Sequence, residues 1–172
     1  RLIVPYFMNT RLVFWHCRWM GEVKRSDTIQ KVINPKGVSA RGILFNYDIA
    51  KQYEEIIICE GFIDAVKVGP DAVASNGKRI HPAQVEALQK TKAKRIVLMW
   101  DEDAWTDEKW RRGKRKPSSI ESAVTLLQTC FEVKAVRMPD ERDPGDYRFQ
   151  SKAIRKLIKK AKAPKLKSVD LV

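Results

Sequence analysis

Ile56-Ile57-Ile58-Cys59-Glu60-Gly61-Phe62-Ile63-Asp64 runs from an apolar stretch into an acid-glycine pair and then into helical sequence. A short apolar run rich in β-branched residues reads as a buried strand, and this one delivers Glu60 at its C-terminal end. The arrangement returns downstream, where Ile96-Val97-Leu98-Met99-Trp100 leads into Asp101-Glu102-Asp103. Two strands ending in acids place carboxylates at one sheet edge, which is where open α/β sheets bind their ligands.

Around this stretch, strand and helix alternate. Strands are expected at 56–59, 72–74, 95–100 and 132–137, and helices at 62–68, 82–90 and 119–130. Pro82 suits a first helical position, Ser118 to Glu121 reads as a capping box, and Ile120, Ala123, Val124 and Leu127 share one helical face. Such alternation predicts an α/β fold with a mostly parallel four-stranded sheet flanked by helices. A basic helix over 147–160, with an apolar stripe of Ile154, Leu157, Ile158 and Ala161, is expected to dock on that sheet. Upstream, 2–7 and 12–17 read as a hairpin turning at Asn9-Thr10, a third strand falls at 30–33, and a short helix starts at 46–48. The chain thus divides into a basic antiparallel β-rich unit over 1–51, the α/β unit over 52–162 and a linker over 163–172. Between Trp105 and Lys116 no periodicity survives, and the segment reads as a mobile loop.

Of 172 residues, 44% are hydrophobic and 32% charged, the balance of a folded protein. No apolar run approaches the ~18 residues that a membrane span requires. The chain starts at Arg1 with no methionine, signal peptide or targeting pattern, and is read as a piece of a larger protein. Cys17, Cys59 and Cys130 form no CxxC pair, which argues for reduced thiols in a cytoplasmic protein. His16 beside Cys17 lies within an aromatic strand and reads as packing rather than as a metal ligand. The net charge of +13 points to a polyanionic partner. It is concentrated in six basic residues over 109–116 and eight over 152–167, and nucleic acid is favoured over a membrane surface.

Glu60, Asp101, Asp103 and Asp143 each follow, or nearly follow, an expected strand end. Oxygen-only donors of this kind suit Mg²⁺ or Mn²⁺, and no nitrogen or sulfur set of zinc type accompanies them. Beside a nucleic acid, such an ion implies phosphoryl or nucleotidyl transfer. The competing reading is that these acids are ordinary surface residues.

The acid-glycine pair followed by Asp101-Glu102-Asp103 resembles the TOPRIM domain shared by primases, type IA and type II topoisomerases and some nucleases. Ala74-Ser75-Asn76-Gly77 is similar to the AS-x-G turn of bacterial-type replicative primases, and Asp143-Pro144-Gly145-Asp146 to their DPD-like motif. The first unit carries the resemblance further. Arg1 to Pro5 looks like the R-x-x-x-P opening strand of the primase catalytic core, Phe14 to Arg18 like its second strand, Lys31 to Asn34 like K-Y-x-N, and Ser39 to Asn46 like K-G-x-x-L-Y-G. The resemblance implies that Glu60, Asp101 and Asp103 are catalytic and hold divalent metal with Asp143 nearby. It also implies that Arg18, Lys31 and Arg41, with Asn76, meet nucleotide or template. Asp64, Asp146, Arg115 and Lys116 are further candidates. Departures are Gly145 at the second aspartate of DPD, Glu102 at the glycine of DGD, and a long basic 105–116 loop.

Template-directed RNA primer synthesis is the activity this implies, with Mg²⁺ or Mn²⁺, single-stranded DNA template and ribonucleoside triphosphates. A replicative helicase, in the same chain or separate, is a further partner, and the setting is the cytoplasm of a bacterium or a phage-infected host. A TOPRIM nuclease using the same acids is the alternative. A non-catalytic nucleic-acid-binding module is the reading from another class. A topoisomerase would need a nucleophilic tyrosine from another domain.

Overall fold

A computed structural model describes residues 1–22, 28–111, 114–139, 142–164 and 166. Strands β1 (Leu2–Met8) and β2 (Arg11–Arg18) form an antiparallel hairpin, and β3 (Val32–Ile33) adds to β2. Alternation turns Tyr6 and Phe14 inward, where their rings meet edge-on at 5.4 Å. His16 joins this aromatic group, 5.2 Å from Tyr6, and its Nδ1 lies 2.5 Å from Asn34 Oδ1. The packing role expected for His16 accounts for its position.

After a 3₁₀ turn (Ala40–Gly42) come α1 (Tyr47–Ala50), β4 (Glu55–Cys59), α2 (Phe62–Val68), β5 (Ala72–Ala74), α3 (Pro82–Gln89) and β6 (Arg95–Met99). The chain continues through α4 (Asp103–Thr106), β7 (Lys109–Arg111), β8 (Lys114–Lys116), α5 (Ser119–Leu127) and β9 (Glu132–Ala135). A second 3₁₀ turn (Pro144–Asp146) then precedes α6 (Lys152–Lys159). The sheet is parallel, in the order β5-β4-β6-β9. Ile56, Ile58, Ile96 and Leu98 face α1, α3 and α5, whereas Ile57, Cys59, Val97 and Met99 face α2 and α6. Both faces are covered, so the strands read as continuous apolar runs. Each fully buried aliphatic side chain here contributes roughly 1.5–3 kcal/mol.

The basic helix docks as expected, with Ile154 and Ile158 buried, but it starts at Lys152 and not at 147. Ser151 ends the preceding turn by accepting from Ile154 N–H at 3.2 Å, so the N-cap decides the start. The 105–116 segment departs from the expected loop: α4 covers its beginning, and β7 pairs with β8 in an antiparallel hairpin. Periodicity fails there because the hairpin is too short to repeat. Asp140 and Glu141 of the acidic turn, and most of the 163–172 linker, lie outside the described residues.

The two sheets are joined by polar groups. Gln84 is fully buried on α3, and its amide donates to Ile43 O at 2.9 Å and to Ser75 O at 3.0 Å. Tyr6 Oη donates to Asn76 Oδ1 at 2.8 Å, and Phe45 N–H donates to Ala74 O at 3.1 Å.

Candidate active site

Cys59 of β4 and Met99 of β6 are register partners, so Glu60 and Asp101 leave the sheet at the C-terminal ends of neighbouring strands. From β4 the chain goes to β5 on one side, and from β6 to β9 on the other. The order reverses between them, which opens a crevice at the topological switch point. Ser75 N–H and Oγ both donate to Cys59 O at 3.0 Å, and Gly77 N–H donates to Glu60 O at 3.1 Å. The turn after β5 therefore fixes the backbone that carries Glu60. Asn76 at φ 62° and Gly77 at φ 130° supply the left-handed conformations that this wrap requires.

Glu60 Oε2 and Asp101 Oδ1 are buried and have no hydrogen-bond partner among the described residues. Burial, and then the Asp101 charge, push the Glu60 carboxyl up to about 7 against the pull of Lys78. Burial, with Asp143 and Asp103, also raises Asp101. Asp64 caps α2: its Oδ2 accepts from Gly61 N–H at 3.0 Å. Desolvation, reinforced by Asp143 and Asp101, raises Asp64 to about 6 against the bonds from Gly61 and Gly145 N–H. Asp143 and Asp146 cap one 3₁₀ turn reciprocally, Asp146 N–H donating to Asp143 Oδ1 at 3.0 Å and Asp143 N–H to Asp146 Oδ2 at 3.2 Å.

Gly145 is explained by its neighbours. A Cβ there would lie 2.8 Å from Asp143 Oδ1 and 3.0 Å from Asp64 Oδ1, so an aspartate would displace the first carboxylate and crowd the second. Glu102, a second departure, accepts from Arg137 Nε at 2.8 Å, and this guanidinium lies 5.8 Å from the Trp105 ring centre.

The cations are distributed more widely than the motifs imply. Arg18, at the end of β2, lines a cavity of about 340 Å³ with Asp64, Asp143 and Asp146. Lys31 is exposed ahead of β3. Arg41 is exposed elsewhere, where its charge, after burial and together with Arg79, lowers His81. Two expected ligand contacts are otherwise engaged. The Asn76 amide bonds Tyr6 and, at 3.3 Å, Ile43 O, so it clasps the two sheets together. Arg115 Nη2 binds Glu108 Oε2 at 2.5 Å and Glu121 Oε2 at 2.6 Å, which fastens the β7–β8 hairpin to α5. Conversely, the motifs missed Lys78, which pairs with Asp103. Its only signal was its place directly after the Ala74–Gly77 turn.

Among the described residues no group of three such side chains is arranged to hold an ion by itself. The donors nevertheless suit Mg²⁺ or Mn²⁺: they are oxygen only, two of their oxygens are buried with no hydrogen-bond partner among the described residues, and Lys78 is the one cation that offsets burial and mutual repulsion at both Glu60 and Asp101. Such ions take few protein carboxylates and complete their shells with water and phosphate.

A family profile described as Toprim-like matches residues 57–148, from within β4 to just past the acidic turn. The chain belongs to the Toprim-like family. This Toprim-like chain is 30% identical over 115 residues to a DNA primase of Staphylococcus epidermidis, which covers 62% of this chain and 18% of that protein. Its fold is that of the RNA polymerase domain of the Mycobacterium tuberculosis primase DnaG, with a TM-score of 0.70 at 17% identity, covering 92% of this chain and 54% of the other. It is similar also to a DnaG catalytic domain solved bound to ssDNA, with a TM-score of 0.67 at 19% identity over 92% of this chain and 52% of that one. The Toprim-like chain therefore spans less than a fifth of the curated relative and about half of the solved domains. Both likenesses cover the antiparallel sheet as well as the parallel one, as the motifs of the first fifty residues imply.

Proposed function

We propose that this Toprim-like chain is the catalytic core of a DNA primase, extending RNA primers on a single-stranded DNA template. The observation that carries the reading is the pair of buried carboxylate oxygens on Glu60 and Asp101 at the switch point, without a hydrogen-bond partner among the described residues, with Arg18 of the other sheet lining the adjacent cavity. The division at 1–51, 52–162 and 163–172 belongs to this proposal, with the site shared by the first two parts.

Glu60, Asp101 and Asp103 would hold Mg²⁺ or Mn²⁺, with Asp143 beside them. A divalent ion there neutralises triphosphate charge and makes the attacking hydroxyl more acidic. The ionised Glu60 carboxylate accepts the proton of the primer 3′-hydroxyl at Oε2, while the Arg18 guanidinium orients phosphate oxygens of nucleotide or template. Lys31 and Arg41 extend the cationic surface along the strand. Asp64 keeps Glu60 in place by capping α2, so it acts through position. Pyrophosphate leaves as the new phosphodiester forms.

Binding of single-stranded DNA is supported by the charge of +13 and by the ssDNA in the related DnaG structure. A replicative helicase partner and a cytoplasmic setting belong to the same reading. Among the described residues no helix is long and apolar enough to cross a membrane. The deciding experiment supplies template, ribonucleotides and Mg²⁺ or Mn²⁺ to the wild type and to Glu60→Gln. Primer synthesis is expected from the wild type and should fall by at least about a hundredfold in the variant, about 2.7 kcal/mol of barrier. Equal synthesis by both would remove Glu60 from the mechanism. Phosphodiester cleavage without added nucleotides would identify a nuclease built on the same acids, and binding without either reaction a non-catalytic module.

A further inference from the structure

The hairpin that replaces the expected loop borders a second cleft, of about 310 Å³, lined by Lys78, Arg79, Asp107, Lys109, Lys116 and Ser119 among others. Four of these side chains are cationic and one is anionic. The anion is already engaged, since Asp107 accepts from Ser119 N–H at 2.7 Å and from its hydroxyl at 2.5 Å. Lys78 reaches in from the turn after β5 and pairs with Asp103, so the cleft adjoins the acid set.

Hairpin register adds an independent observation. Lys109 and Lys116 are direct cross-strand partners, so their side chains project from the same face, and both border the cleft. Like charges directly opposite each other destabilise a strand pair. Among the described residues no ion pair neutralises Arg79, Lys109 or Lys116. Arg115 of the same hairpin, by contrast, is held by Glu108 and Glu121. The hairpin thus uses one cation to anchor itself to α5 and leaves two facing the cleft, where a multivalent anion would relieve their repulsion.

We propose that this cleft is a phosphate-binding site that takes the phosphates of a nucleic-acid strand or of a nucleoside triphosphate passing beside the acid set. The proposal rests on the nucleotidyl-transfer reading for the identity of its ligand. Its binding energy comes from the cations alone and needs no metal.

The test is Lys109→Gln/Lys116→Gln, with Arg115 retained so that the hairpin stays anchored. In chelator, binding of a short fluorescein-labelled oligothymidylate is followed across a KCl series, and binding of ATP and inorganic tripolyphosphate by calorimetry. If the cleft holds strand phosphates, oligonucleotide affinity at low salt falls on the order of tenfold and the salt slope drops by about 1.4, at ~0.7 per single-strand phosphate contact. If it holds a triphosphate, ATP and tripolyphosphate binding weaken instead. Losing neither overturns the proposal. Removing the like-charge pair should leave the free variant melting at or above the wild-type temperature. Should it melt lower, Arg79→Gln probes the same cleft from outside the hairpin, and unchanged binding of all three probes there is equally fatal. Glu60→Gln should bind these probes like the wild type in chelator, so failure of the cleft and failure of the catalytic reading give different results.

Discussion

Gly145 sits where side-chain volume decides the geometry of the acids. The space a Cβ would take there is bounded by Asp64 Oδ1 and Asp143 Oδ1. Gly145→Ala makes the Asp143 carboxylate shift and the Asp64 carboxylate give by a few tenths of an ångström. If the acids work as a set, primer synthesis should drop by roughly tenfold, equivalent to ~1.4 kcal/mol of barrier. An unchanged rate in the template-directed assay would show that Asp143 and Asp64 need not hold these positions. In the motif alone Gly145 is only a departure. The crowding that explains it involves Asp64, 81 positions earlier in the chain, and requires coordinates.

At the scale of elements, the β1–β2 turn shows how far a local signal reaches. Asn9-Thr10 marks a turn, yet Thr10 takes φ 65°, a conformation that a β-branched residue avoids. Asp48 of α1 stabilises it, accepting from Asn9 N–H and Thr10 N–H at 2.8 Å each. Desolvation pushes the Asp48 carboxyl up, but the bonds from Lys51, Thr10 and Asn9 outweigh it and hold the carboxyl below its ordinary value. The sign follows: a depressed acid contributes stability above its unfolded pKa of about 3.9, and that stability disappears as pH falls through the folded value. Asp48→Asn should therefore cost about 1 kcal/mol at pH 7, with the gap from wild type closing below about pH 4. Urea melts at both pH values check this, and a gap that stays constant would assign the loss to packing. The β7–β8 hairpin is the opposite case, since its charged sequence carries no strand signal. Its Arg115 clasp joins β8 to α5 through Glu121 and to the link before β7 through Glu108, and none of these announces the others.

For the whole molecule, a buried amide is one of the polar groups that join the two sheets. Gln84 donates to Ile43 O and Ser75 O in two buried bonds and accepts from His81 N–H at 3.0 Å in a partly buried one. Gln84→Leu keeps much of the volume but leaves Ser75 O without this donor, a loss of about 1–3 kcal/mol. Because Ser75 also fixes the backbone at Cys59, synthesis should fall along with stability. A urea midpoint unchanged to within about 0.5 kcal/mol of stability would mean that the sheets hold together without the clasp. The position reads as polar on an amphipathic helix, and nothing local distinguishes a buried glutamine from an exposed one.

The sequence by itself determined the parallel sheet, its helices and the placement of Glu60 and Asp101 at strand ends, because apolar runs, caps and glycine turns are local signals set by backbone sterics and burial. It also carried the likeness to primase cores, through motifs spread over both units. Only the tertiary structure decided which charges meet. It gave Asn76 and Arg115 structural partners, set Lys78 against Asp103, left Lys109 and Lys116 facing one cleft, and made Gly145 a matter of space between two carboxylates. Ion pairing and steric exclusion act over a few ångströms between residues far apart in the chain, and one-dimensional spacing does not encode that proximity.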